Sequence, residues 1–315
     1  MASFLMVLPV AMVMGLGVLF RLISFLDDET VLRLNSILYW AALPAFIFRS
    51  ILGVGREILS NSSLFWALHL SFLLVPAVAL VLGRLFTTDR KRLAVSVLTS
   101  IRSNNVFMGV PAVMIAMGQP GVEAVSLYLA VGLLGYHFFS VTWAQVVLSG
   151  RTNIRSLFDT LEQLLKNPLI LACLMGVTGA LMGFDKLPYW LDAAVKMVGN
   201  TGSGIALIAL GASIRFENLR EAMKSTWRDC LFKLFISPAL ILGVLLAWSI
   251  DPLLRNAVVL VSAMPAAVNS FVLAHNMGMD YDYAGKIVTL STALSVFSLP
   301  VWVWLLGYKT ERVCG

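Results

Sequence analysis

Charge is what this sequence most lacks. Asp, Glu, Lys and Arg make up 13% of its 315 residues, and 59% of the chain is hydrophobic. A soluble domain runs near 25% charged, and its surface must stay wet, so it has no use for that much apolar side chain. A disordered chain would be poor in apolar residues. Both classes are excluded. Cysteine is scarce too: Cys173, Cys230 and Cys314 lie far apart, in neither a metal-ligand spacing nor a disulfide framework. The His-Glu-x-x-His string that sets two imidazoles on one helix face is missing, and so is the GxxxxGK[ST] loop that cradles phosphates. Zinc proteolysis and ATP drive by this chain are therefore excluded. No pair of mid-segment Asp residues exists for an aspartyl protease. Gly202-Ser203-Gly204 could be set against His137 or His275 as a serine protease, but close helix packing through small residues explains that string. The chain reads as a non-enzyme that uses no cofactor and no metal.

What is there is long and apolar. The mean hydropathy is +0.87. Residues 1–20, 58–83, 124–150, 167–184, 197–214, 256–279 and 287–308 contain no charged side chain. A helix needs about 20 apolar residues to cross a bilayer, and backbone in lipid must bond to itself, as a helix or a closed barrel. A barrel would alternate over short segments; these runs are continuous and rich in Leu, Val and Ala, so helices are expected. The first 20 residues lack a basic start and a small-residue cleavage site, and read as a first helix rather than a signal peptide.

Ten spans are expected, at roughly 2–25, 31–53, 62–86, 91–117, 120–148, 164–183, 187–214, 224–249, 254–277 and 281–307. The net charge of +6 is not a nucleic-acid signal, because Lys and Arg gather between hydrophobic runs. With both termini outside, the inner connections hold most of them, among them Arg84, Arg90, Lys91, Arg92, Arg151, Arg155, Lys166, Arg228 and Lys233. The two halves resemble each other at an offset near 160: Pro9 with Pro168, Pro76 with Pro238, Trp66 with Trp227, Asn105 with Asn269, Gly118 with Gly278. Five spans per half is an odd number, so the second repeat must be inverted, as in many secondary transporters. The expected units are a first repeat over 1–150, a cytoplasmic linker over 151–163 and a second repeat over 164–310.

The fourth span reads Thr99-Ser-Ile-Arg-Ser-Asn-Asn-Val-Phe-Met-Gly-Val-Pro111. Arg102, Ser103, Asn104 and Asn105 in a row each need a partner in low dielectric. Gly109 and Pro111 follow, and proline removes a donor and clashes with the preceding turn. A broken helix here would offer backbone groups and the positive end of a half-helix to an anion; helix-to-helix hydrogen bonding around a kink is the plainer reading. The ninth span repeats the theme in Ser262-Ala-Met-Pro-Ala-Ala-Val-Asn-Ser270, with Pro265, Asn269 and Ser270. Two interrupted spans at matching places point to a transporter site. In the seventh span Gly199-Asn-Thr-Gly-Ser-Gly204 serves close packing, or lines a path with Asn200, Thr201 and Ser203. Pro44 kinks the second span. Arg102 is read as the one strong intramembrane charge, in a supporting role; holding a carboxylate, snorkelling to the inner surface and pairing with an acid are its open alternatives. His69, His137 and His275 are proton carriers on general grounds and packing residues on the plainer reading.

Four strings resemble the auxin efflux carrier family: Arg102-Ser-Asn-Asn-Val-Phe-Met-Gly-Val-Pro111, Asn167-Pro-Leu-Ile-Leu-Ala-Cys-Leu-Met-Gly176, Ile208 to Ser213, and Met264 to Gly278. The resemblance runs the length of the chain and, lacking a large central loop, is to the compact bacterial members. It implies a ten-helix, all-α membrane fold of two inverted five-helix repeats with broken crossover helices 4 and 9, similar to bile-acid symporters and sodium/proton antiporters. It implies a scaffold of helices 1, 2, 6 and 7 that forms a homodimer, and a transport domain of helices 3–5 and 8–10. The implied substrates are organic anions such as malonate or auxin-like acids, moved by elevator-type alternating access. A proton or sodium ion could couple to the flux. The implied place is a bacterial inner membrane. Asn104 matches the crossover position that meets the carboxylate, with Asn105, Ser103, Asn269 and Ser270 beside it. Ser103 stands where plant carriers have proline, and Asn269 replaces an apolar position, so a smaller, more polar anion is expected. An anion channel and a membrane sensor without transport are the rival functions.

Overall fold

A computed structural model describes residues 2–54, 62–149, 166, 168–184, 186–214 and 219–308. The expected linker, with Arg151 and Arg155, lies outside the described residues, as do Cys314 and the Ser203 side chain. Among the described residues all regular structure is helical apart from one isolated β-bridge.

Six stretches are long and apolar enough to cross a membrane: Asp28–Gly53, Ser62–Arg84, Asn105–Ser149, Tyr189–Ala212, Arg220–Leu246 and Tyr281–Leu305. Leu8–Leu22, Pro168–Leu181 and Pro252–Ser262 are apolar but shorter. In chain order the helices are α1 (Ala2–Leu22), α2 (Asp28–Ile37), α3 (Leu43–Val54), α4 (Ser62–Arg84), α5 (Arg90–Ile101), α6 (Val110–Ser149), α7 (Pro168–Leu181), α8 (Tyr189–Ala212), α9 (Leu219–Leu231), α10 (Ser237–Leu246), α11 (Pro252–Ser262), α12 (Asn269–Asn276) and α13 (Tyr281–Leu305). Side-chain caps start several of them: Asp27 accepts from Thr30 N, Asp89 from Lys91 N, Asp251 from Leu254 N and Asp280 from Tyr283 N. Gly118 bends α6 with φ +68°, and Gly278 ends the turn after α12 with φ +72°, backbone conformations that favour glycine.

Three π-helical turns interrupt the long helices, at Leu38–Ala42, Asn105–Gly109 and Phe232–Ile236. Each is followed, two residues past its end, by a proline: Pro44, Pro111 and Pro238. Proline has no N–H for the carbonyl four residues back and its ring crowds that carbonyl, so the helix widens by one residue instead of running on. At Pro44 the expected kink falls beside such a widening. The carbonyl that Pro238 cannot serve, Leu234 O, accepts instead from Trp302 Nε1 at 2.7 Å.

Two groups of helices face each other. α3 packs on α7 and α8, and α8 packs on α1; α4, α5, α6, α9, α10, α11 and α13 form the larger cluster. The α1–α8 contact is backbone on backbone. A Cβ at Gly211 would lie 1.9 Å from Met14 O, and one at Gly17 would lie 2.0 Å from Ile208 O. Gly199 likewise meets the backbone of Phe46, and Gly202 meets Ala42. Close packing thus accounts for Gly199, although Gly199 and Gly202 also line the cavities described below.

Candidate functional site

The fourth and ninth expected spans are each broken, and the breaks touch. α5 stops at Ile101. Arg102 (φ −76°, ψ 84°) and Asn104 (φ −75°, ψ 64°) each centre an inverse γ-turn, closed by Ser103 N to Ile101 O and by Asn105 N to Ser103 O. Between α11 and α12 the chain runs unwound from Ala263. The two breaks pair as antiparallel backbone: Asn104 N donates to Pro265 O at 2.9 Å, and Ala267 N donates to Arg102 O at 2.8 Å, around a bridge from Ser103 to Ala266. Gly109 packs close to α11, where an added Cβ would sit 3.3 Å from Val261 Cγ1. Ala266 N is held by Ser291 Oγ of α13, and Ser103 O by the Tyr136 hydroxyl of α6.

The polar side chains of the crossing are buried. Arg102 donates from Nε to Ser270 Oγ, from Nη1 to Ser140 Oγ and His137 Nδ1, and from Nη2 to Asn269 Oδ1, at 3.0–3.3 Å. Its guanidinium also lies 5.4 Å from the centre of the Tyr136 ring. None of these partners is an acid, and Arg102 is only 2% exposed, so snorkelling and acid pairing are both ruled out as its role in this arrangement. Ser103 Oγ donates to Ser262 O and accepts from Lys233. Asn105 Nδ2 donates to the Tyr128 hydroxyl. Asn104 Nδ2 and Asn105 Oδ1 are buried without a hydrogen-bond partner among the described residues.

Lys233 corrects the sequence reading. It is not a charge of an inner connection, and Arg102 is not the single strong buried charge. Lys233 sits in the π-helical turn between α9 and α10, is 1% exposed, and donates from Nζ to Ser103 Oγ at 2.6 Å and to Ser262 O at 2.9 Å. The signal available in the sequence was a lone lysine inside Leu-Phe-Lys-Leu-Phe-Ile, five residues before a proline.

The structure brings together Arg102, Ser103, Asn104, Asn269, Ser270, Pro265, His137 and Lys233, with Gly109 and Asn105 adjoining. It leaves others apart. Thr201 is exposed and bonds to Val198 O within its own helix. His69 bonds to Phe65 O and stacks on that ring, and His275 lies edge-on to Tyr281. Asn200 lines two cavities between the helix groups. The larger, about 950 Å³, is walled by Arg49, Glu123, Ser126, Lys196, Asn200 and Asp251 among others. The smaller, about 330 Å³, is walled by Leu43, Phe46, Val106, Phe107, Pro111 and Asn200 among others. Arg102 and Asn104 line neither, whereas Val106 and Phe107, just past Asn104, line the smaller one.

Comparison with known proteins gives a family. The model of a family described as "Membrane transport protein" matches residues 146–303, half of the chain. Three relatives align over nearly full length. An "Uncharacterized transporter" of Methanothermobacter thermautotrophicus is 25% identical, covering 94% of this chain and 96% of its own. Another of that description from Methanocaldococcus jannaschii is 22% identical, covering 95% and 97%. A "Putative malonate transporter" of Rhizobium meliloti is 23% identical, covering 96% and 95%.

Proposed function

The chain belongs to the membrane transport protein family, that of the auxin efflux carriers, and on that premise we propose that it is a secondary carrier of small organic anions, with malonate or a related carboxylate as the first substrate to test. It is an integral membrane transporter and not an enzyme. One observation carries the sign of the substrate. Arg102 and Lys233 are buried cations at the crossing of two broken helices, and no carboxylate lies within salt-bridge reach of either among the described residues. A buried charge without a countercharge costs several kcal/mol, and a bound carboxylate would supply it. Asn104 Nδ2, buried and unpartnered, is a donor for such an oxygen. Asn269 uses its oxygen on Arg102 and keeps its amide hydrogens to offer. Ser103 and Ser270 act through their hydrogen bonds to Lys233 and Arg102.

The proposal includes ten membrane crossings in two inverted repeats, with the interrupted segments as helices 4 and 9. Supporting it are the antiparallel pairing of the two breaks, and the matched glycines Gly118 and Gly278, both at positive φ. α3 and α8 wall one side of the cavities, while α6 and α11 wall the other side of the larger. Sliding the second group past the first, elevator fashion, would carry the crossing and its anion across the bilayer. A homodimer through the α1–α3 and α7–α8 side, both termini outside and a bacterial inner membrane complete the proposal. The membrane potential alone expels an anion from a negative interior, at about 2.3 kcal/mol per charge per 100 mV.

Uptake of radiolabelled malonate, succinate, acetate and indole-3-acetate into proteoliposomes tests this reading. Saturable uptake of at least one acid, accelerated by the same acid trapped inside, is the expected result. Linear flux without counterflow would make the protein a channel, and no flux of any of these acids under potential, proton or sodium gradients would refute the organic-anion reading.

A further inference from the structure

We propose that a cavity at the meeting of α4, α5, α9 and α13 seats one phospholipid, of the kind whose headgroup carries a primary ammonium beside its phosphate: phosphatidylethanolamine. The inference rests on the chain being a membrane transport protein and not on which substrate it carries. The cavity measures about 320 Å³, and ligand sites begin near roughly 300 Å³. It lies where α4 has just ended at Arg84 and α5 begins at Arg90, beside Ser225 and Arg228 of α9 and Tyr283 in the first turn of α13. The ends of helices that cross a bilayer reach the headgroup level. Phe86 and Trp227 on the cavity wall are exposed, and exposed aromatic rings gather at that level.

The charges on the wall select the headgroup. Arg92, Arg228 and Asp229 line the cavity. Arg92 makes its ion pair elsewhere, from Nε to Asp280 at 3.1 Å. Arg228 lies 4.2 Å from the centre of the Phe86 ring and 5.3 Å from that of Trp227, with no carboxylate in ion-pair reach among the described residues. Asp229 accepts from the Tyr283 hydroxyl at 2.6 Å and has no cation in ion-pair reach among the described residues. The cavity therefore offers donors for a phosphate and an acceptor for an ammonium in one space. A guanidinium fork suits phosphate oxygens, and a carboxylate accepts from the N–H groups of an ammonium. A headgroup of phosphate and glycerol would leave Asp229 facing an anion. A choline headgroup has no N–H to give it. Beside the charges the wall is apolar, with Leu82, Leu231 and Ile236. Trp227 and Leu231, one turn apart on α9, are exposed and give the acyl chains a surface.

The test gives delipidated wild-type protein in detergent phosphatidylethanolamine, phosphatidylcholine or phosphatidylglycerol with identical acyl chains. Native mass spectrometry counts the bound lipid, and thermal melts across lipid concentration read the affinity. One ethanolamine lipid per chain is expected, bound at least about tenfold more tightly than either of the others. Equal affinity for the three, tighter binding of the choline or glycerol lipid, or no saturable binding overturns the proposal. Glycerophosphoethanolamine, the same headgroup without acyl chains, is expected to bind at least about tenfold more weakly. Equal binding would make the ligand a free solute and overturn the lipid assignment. Arg228→Gln and Asp229→Asn are each expected to weaken binding of the ethanolamine lipid about tenfold or more, and Asp229→Asn to erase its advantage over the glycerol lipid. Wild-type affinity and preference in both folded variants also overturn the proposal. Should either variant not fold, the wild-type lipid series decides.

Discussion

Asn104→Ala should separate transport from folding. The backbone of Asn104 holds the crossing: its N–H donates to Pro265 O, and its carbonyl accepts from Gly109 N at 3.0 Å and more weakly from Met108 N. Alanine keeps all of these and tolerates φ −75°, ψ 64°. The side chain, by contrast, leaves its Nδ2 unpartnered among the described residues. Removing it breaks no hydrogen bond from that nitrogen, so the expected change in stability is within about 1 kcal/mol. In a protein of this size that is a melting shift of about 1–2 °C. Transport is another matter. A hydrogen bond from the amide to a carboxylate is worth about 1.5–3 kcal/mol, which raises the half-saturating concentration roughly 10- to 150-fold. The assay pairs a thermal melt in detergent with initial uptake rates across a range of substrate concentration. Unchanged half-saturation at a wild-type rate would refute the assignment of Asn104 to the substrate. A melting temperature lower by more than about 10 °C would show that the amide serves the fold instead.

Three further outcomes follow from the geometry. Gly211→Ala places a Cβ 1.9 Å from Met14 O, a clash with backbone that no rotamer relieves, so α1 and α8 must separate; a loss of about 1–3 kcal/mol is expected, read as a lower melting temperature. Trp302→Phe strands Leu234 O inside the protein and should cost about 1–3 kcal/mol, whereas Trp304→Phe, at an exposed position, should cost almost nothing in the same melt. Arg102→Met leaves acceptors on Ser140, His137, Asn269 and Ser270 without their shared donor, at about 1–3 kcal/mol for a stranded group, but also removes a buried charge that has no countercharge; uptake is expected to be abolished with the protein still folded, and an unaltered uptake rate would contradict the site.

Much of this was readable in the sequence because lipid punishes exceptions. A row of Arg102, Ser103, Asn104 and Asn105 inside an apolar segment has few explanations, and Pro265 with Asn269 at the matching offset narrows them further. The interruption of both segments follows from those residues. Lys233 was not legible. Its segment begins beside Arg228 and Lys224, and a long flexible stem can point toward either the bilayer surface or the protein centre. Only contact with Ser103, 130 residues away, decides between them. The π-helical turns were hidden for a related reason: a proline inside a helix announces a missing donor, but not whether the chain answers by bending or by widening. The Gly199–Gly204 string was ambiguous because glycine suits both close packing and a lined path. Both uses meet at Gly199, which approaches the Phe46 backbone and also lines the cavity wall beside Asn200.

The main-chain pairing of the two breaks separates architecture from selectivity. Asn104 N to Pro265 O and Ala267 N to Arg102 O are bonds that nearly any side chain would permit; among single substitutions at the two donor positions, proline alone removes the N–H. The joint that holds the halves together is therefore indifferent to what the neighbouring side chains recognise. On the proposed reading, substrate preference at Asn104 and Asn269 could drift, or be redesigned, while the main-chain joint between the two breaks stays as it is.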